Sequence, residues 1–127
     1  MLTEQLNIYR DTFRTCVALM RYQTGGVPKG DVPHPKMPKC ITHGAFQQCV
    51  DKMMEALDKI YIANSKENSR YEVLQDYLCL VGAVRSRIRM LGELRYLTDK
   101  QQTNLMFMLD SCGKQATAWR NTARATR

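Results

Sequence analysis

No proline follows Pro38, so nothing from residue 39 onward forbids a helix outright. No apolar run approaches the roughly 18 residues that a membrane span requires, and no association with a membrane is expected. The opening MLTEQLNIYR lacks a basic segment followed by an apolar one, so a secretory signal is not expected there. The five cysteines (Cys16, Cys40, Cys49, Cys79 and Cys112) are odd in number and scattered, unlike a disulfide framework. That usage fits a reducing compartment, and a cytoplasmic location is expected.

Catalytic signatures are missing as well. The chain has no glycine-rich phosphate loop ahead of a helix, no H-E-x-x-H and no G-x-S-x-G. Cys40 and His43 form a conceivable nucleophile–base pair, but nothing supplies an orienting third group or an oxyanion donor. His34, Cys40, His43 and Cys49 lie close in sequence, yet they do not form the paired ligands of a structural zinc site. No enzymatic role, metal or other cofactor is expected. Metal analysis of the purified protein would revive the Cys40–His43 reading if it found a stoichiometric ion.

Acidic residues are scarce at one end. The chain has 127 residues, a formal charge of +7 and a pI near 9.3. Residues 1–84 carry 10 Lys and Arg against 9 Asp and Glu, whereas residues 85–127 carry 9 against 3. The excess is therefore +1 in the first part and +6 in the last 43 residues. An acidic partner is implied, and the basic end is where it would bind.

What remains is a helical pattern. All four prolines and three of the seven glycines fall in TGGVPKGDVPHPKMPK, residues 24–39, which reads as one long connection. Outside it, apolar residues recur at spacings of three and four in four segments. These are Leu2, Leu6, Tyr9, Phe13, Val17 and Met20; then Phe46, Val50, Met53, Leu57 and Ile60. The third is Leu74, Tyr77, Val81, Val84, Ile88 and Leu91, and the fourth is Leu105, Leu109, Cys112, Ala116 and Trp119. Ser69 with Glu72, and Thr98 with Gln101, read as capping boxes that open the third and fourth helices. The expectation is a single all-α domain over residues 1–127. It would be an up-down antiparallel four-helix bundle with helices at about 3–23, 41–64, 70–96 and 99–124.

VRSRIRM, residues 84–90, alternates arginine with other residues as a strand might, but it sits inside the third helical series. At about 100° per residue, Arg85 and Arg89 stand roughly 40° apart on one flank, while Arg87 is roughly 200° from Arg85. The three straddle the Val84–Ile88–Leu91 seam. Arg95 follows, and Arg120, Arg124 and Arg127 recur at spacings of four and three. Cations at a helix end are ordinary macrodipole partners, which accounts for two of these charges and not for six. Arginine matches phosphate bidentately, so a nucleic-acid backbone is the favoured ligand. The candidate contacts are Arg85, Arg87, Arg89, Arg95, Arg120 and Arg124. Lys29, Lys36 and Lys39 of the connection are possible additional ones. The run Leu105–Leu109 is too wide for one stripe, so part of it is expected to face a partner or a second subunit. The remaining methionines read first as core filling.

The stretch KIYIANSKENSRYEVLQDYLCLVGAVRSRIRMLGELRYLTDKQQTNLMFMLDSCGKQATAWRN resembles the four-helix-bundle family related to the 23S rRNA intervening-sequence protein. Within that group it is most similar to the accessory variability determinant family of diversity-generating retroelements. The resemblance rests on IYxANS, on R-x-R-M-L-x-E-L-R-Y-L-T-x-K-Q and on LDSCGKQATAWRN, over about residues 46–121. It implies a basic, non-catalytic homopentamer that associates with a reverse transcriptase and its template RNA and cDNA. The basic positions it implies are Arg85, Arg87, Arg89 and Arg95. A generic rRNA-associated bundle without a reverse transcriptase partner is the alternative. The long proline-rich connection departs from the shorter one usual in relatives.

Overall fold

The computed structural model describes residues 2–24 and 37–125, the side chains of Glu4, Arg124 and Ala125 apart. Among the described residues the chain is all-helical and forms a four-helix bundle. Its helices are α1 (Asn7–Thr24), α2 (Gln47–Ser65), α3 (Arg70–Glu93) and α4 (Asp99–Ala125). A short 3-10 turn, Thr3–Gln5, precedes α1. A single helical turn, Lys39–Ile41, and a π-helical turn, Thr42–Phe46, run directly into α2. Each helix packs beside two others: α1 on α2 and α4, and α3 on α2 and α4.

Core assignment follows the sequence closely on three helices. All six apolar positions of the α3 series are buried. Leu105, Leu109, Cys112 and Ala116 of α4 are buried, with Trp119 packed against the core. On α2 the core holds Val50, Met53 and Ile60 of the series, with Phe46 just before the helix, while Leu57 is only partly buried.

α1 departs from expectation. Its buried residues are Ile8, Thr12, Thr15, Cys16 and Leu19, so the core face lies beside the apolar series and not on it. Phe13 is 50% exposed, and Leu2 and Met20 are also exposed. The threonines make this phase possible. The Thr12 hydroxyl donates to the Ile8 carbonyl at 2.7 Å and shares a 2.6 Å hydrogen bond with the Tyr77 hydroxyl. Thr15 donates to the Asp11 carbonyl at 2.7 Å. A hydroxyl bonded to the carbonyl one turn back carries no unmet polar group into the core, leaving a methyl to pack.

Two expected boundaries also shift. α1 begins at Asn7 and not near residue 3, because Leu6 is extended (φ −73°, ψ 135°). α3 ends at Glu93 and not near 96. Its end is a Schellman motif: the Tyr96 N–H donates to the Leu91 carbonyl and the Arg95 N–H to the Gly92 carbonyl, each at 3.0 Å. Arg95 therefore occupies the left-handed position, with φ 64°. Glycine is the usual residue there, since a Cβ is strained in that conformation. Glycine stands instead at Gly92, where a Cβ would overlap the side-chain amide of Gln102.

The two capping boxes fare differently. Thr98 and Gln101 form theirs: the Gln101 N–H donates to Thr98 Oγ1 at 3.0 Å, and the Thr98 N–H donates to Gln101 Oε1 at 3.1 Å. Ser69 makes no side-chain cap bond. It is the last residue of a 3-10 turn (Glu67–Ser69) with ψ near 0°, outside the extended conformation a cap residue uses.

Candidate nucleic-acid interface

α3 places its arginines on two flanks, as their angular spacing requires. Arg85 reaches across to α4 and donates to Asp110. Arg87 turns the other way, toward α2. Its Nε donates to Gln48 Oε1 at 2.9 Å and its guanidinium also meets the Ala83 carbonyl at 3.1 Å. Among the described residues Arg89 is exposed with no side-chain hydrogen bond or ion pair, and so is Arg95 in the turn. The Arg85–Asp110 pair is half-exposed on both sides, and pairs of that kind contribute only about 0–1 kcal/mol. A phosphate can therefore compete for Arg85 at little cost.

Arg120 belongs to a different place. Its guanidinium donates to Gln75 at 2.7 Å and lies 5.9 Å from the Tyr71 ring centroid. Nearby, Arg70 lies 5.4 Å from the Trp119 ring centroid, and its Nε donates to the Ala63 carbonyl at 2.8 Å. Gln75 is roughly 20 Å along α3 from Arg89. The candidate arginines thus spread along the bundle, with Arg89 and Arg95 at the α3–α4 turn, Arg85 and Arg87 along the body of α3, and Arg120 toward the opposite end. They do not form one patch. The Arg124 side chain and Lys29 and Lys36 lie outside the described residues, while Lys39 is exposed at the first turn leading into α2.

Reasoning from regional net charge missed three cations. Arg10, Arg14 and Arg21 are exposed and lie within roughly 40° of one another on the outer face of α1. None bonds to another described side chain. Their spacings of four and seven are visible in the sequence. They were hidden because acidic residues elsewhere in the first 84 positions balance them.

The five cysteines are free thiols. Cys16 and Cys49 are buried, and burial pushes both thiols from an ordinary 9.0 up to about 11. Burial likewise raises the Tyr77 hydroxyl, with Cys112 adding to the effect. Cys40 and His43 are exposed at the surface, while His34 lies outside the described residues. Among the described residues no group of three or more His, Cys, Asp or Glu side chains is placed to hold a metal ion. No helix among them is long and apolar enough to cross a membrane.

The class defined by these features is a four-helix bundle with an arginine-bearing outer surface. No protein-family model matches the chain, and no curated protein matches it in sequence.

Proposed function

We propose that this protein is a non-catalytic accessory factor of a diversity-generating retroelement. It would bind the reverse transcriptase and the template RNA and cDNA through its basic surface, supporting mutagenic reverse transcription in the cytoplasm. The family resemblance supplies the partner. The observation that carries the binding role is Arg95: an exposed guanidinium, unpaired among the described residues, held at a left-handed backbone position that glycine occupies more cheaply. Such strain costs on the order of 1 kcal/mol at a position where glycine would avoid it. Arg89 lies on the last turns of α3 beside Arg95, and Arg87 extends positive charge toward α2.

The up-down antiparallel arrangement is part of this proposal. It is supported by pairings that run in opposite senses, such as Tyr22 with Asn104 and Asp11 with Gln115. A homopentamer is the assembly the resemblance implies. The Leu105–Leu109 run offers less support than its composition suggested, since Leu105 and Leu109 are buried and only Phe107 is fully outside. Met90 and Leu94, 63% and 54% exposed and one turn apart, are the better candidates for a subunit contact. Light scattering should report an oligomer at micromolar concentration, and a monomer would remove that part of the proposal.

The binding role is tested by Arg89→Glu with Arg95→Glu in RNA titrations at several salt concentrations. For every phosphate that an arginine no longer neutralises, the slope of log K against log salt should flatten by about 0.7–0.9. Unchanged affinity and slope in a folded variant would refute it. For the partner, the expected result is that reverse transcriptase and template RNA co-purify with the tagged protein from cells carrying the element. Recovery of a different acidic protein without nucleic acid would refute that assignment.

A further inference from the structure

Two residues of the mis-phased α1 series, Phe13 and Val17, line a cleft. Phe13, Arg14, Val17, Ala18 and Arg21 of α1 face Asn104, Phe107, Met108 and Ser111 of α4 across a cleft of about 540 Å³. Phe107 is the most exposed large apolar side chain among the described residues, at 74%, and Phe13 stands half out of the fold. The Phe13 ring stacks on Tyr9, with centroids 6.3 Å apart, which holds its face in place. Arg14 and Arg21 line the same cleft, and Arg10 continues their row along α1. The one carboxylate in the lining, Asp11, is partly buried. It accepts hydrogen bonds from Gln115 at 2.6 Å and Ser111 at 3.5 Å.

We infer that this cleft binds single-stranded nucleic acid, with Phe107 and Phe13 as stacking surfaces for bases and Arg14 and Arg21 as phosphate contacts. An acidic occupant is favoured, because two guanidinium groups outnumber the one carboxylate of the lining. It must also present flat apolar faces, because the exposed surface between those charges is aromatic. Unpaired bases on a phosphodiester chain meet both requirements, and a sequence-tolerant platform of this kind combines a charged groove with stacking rings. A duplex hides its base faces, so it would use the arginines alone. The site lies on α1 and α4, apart from Arg89 and Arg95. It therefore stands or falls separately from the surface proposed above.

The test is anisotropy titration of the full-length chain with a fluorescein-labelled oligouridine 12-mer across several salt concentrations. It is run in the parent and in the Arg89→Glu/Arg95→Glu background so that the two surfaces are read apart. Phe107→Ala should weaken binding about tenfold at every salt concentration and leave the salt slope unchanged, while Phe107→Tyr should bind like the parent. Arg14→Gln with Arg21→Gln should flatten the slope by about 1.4, two phosphates at about 0.7 each for a single strand. A hairpin duplex of equal length should be insensitive to Phe107→Ala. Parent-like binding by both variants, or no binding of the single strand by the parent, would overturn the inference. So would Phe107→Ala dissociating an oligomer while RNA affinity held, which would assign this face to a second copy of the chain.

Discussion

On α3 the apolar residues at helical spacing, Leu74 to Leu91, all lie in the core, whereas the matching α1 series leaves Leu2, Phe13 and Met20 exposed and Leu6, Tyr9 and Val17 only partly buried. Both helices are amphipathic and of ordinary length, so periodicity alone does not separate them. The difference is in what each can bury without penalty. α3 has an unbroken set of large side chains. α1 turns Thr12 and Thr15 inward, and their hydroxyls find carbonyls one turn back. The outer surfaces differ correspondingly. Two of the α3 arginines within VRSRIRM are bonded to neighbouring helices, while the three on α1 bond to no described side chain and stand beside exposed aromatic rings.

Truncation separates the two helices most strongly. Ile88→Ala should cost about 2–5 kcal/mol, the usual penalty for opening a cavity in a packed core. Phe13→Ala should cost only about 1 kcal/mol, the loss of a half-exposed ring and its contact with Tyr9. Chemical denaturation of both variants measures this directly. Similar destabilisation of the two would mean that α1 packs on its apolar series after all.

Alkaline pH tests the buried interior shared by α1, α2 and α3. In the unfolded chain the Cys16 and Cys49 thiols ionise near 9.0, and in the fold near 11. Between those values the unfolded state releases protons that the fold retains. Their stabilising contribution is therefore intact below about pH 9 and disappears as pH rises toward 11. The drop is on the order of 2 kcal/mol per thiol, and Tyr77 adds to it at the upper end. The urea midpoint should fall steadily over this window. A flat profile would contradict burial of the two thiols.

A smaller effect compares the two helix starts. Thr98→Ala removes a formed cap and should cost about 1 kcal/mol, while Ser69→Ala should be nearly neutral. Equal destabilisation in thermal melts would show that Ser69 caps α3 in solution.

Much of the fold was legible because large apolar side chains have only one good place to go. The α2, α3 and α4 cores follow from spacing, and the opposed flanks of Arg85 and Arg87 follow from helical angle. The phase of α1 was not legible, because a threonine is polar by composition and apolar once its hydroxyl is bonded to its own backbone. The end of α3 was misplaced because Arg95 stands in a conformation that sequence rules reserve for glycine. The candidate site was legible as a set of arginines and not as a surface. Net charge by region joined Arg120 to Arg89, which lie far apart along the bundle, and cancelled Arg10, Arg14 and Arg21 against distant carboxylates.

Arg95 carries the proposed RNA contact on a backbone position that glycine would occupy more cheaply. Arg95→Gly tests it in one protein, read by thermal denaturation and by RNA titration against salt. The expected variant is as stable as the parent, or more stable by up to about 1 kcal/mol, and binds RNA more weakly with a salt slope lower by about 0.7–0.9. A variant with unchanged RNA affinity and slope would contradict it.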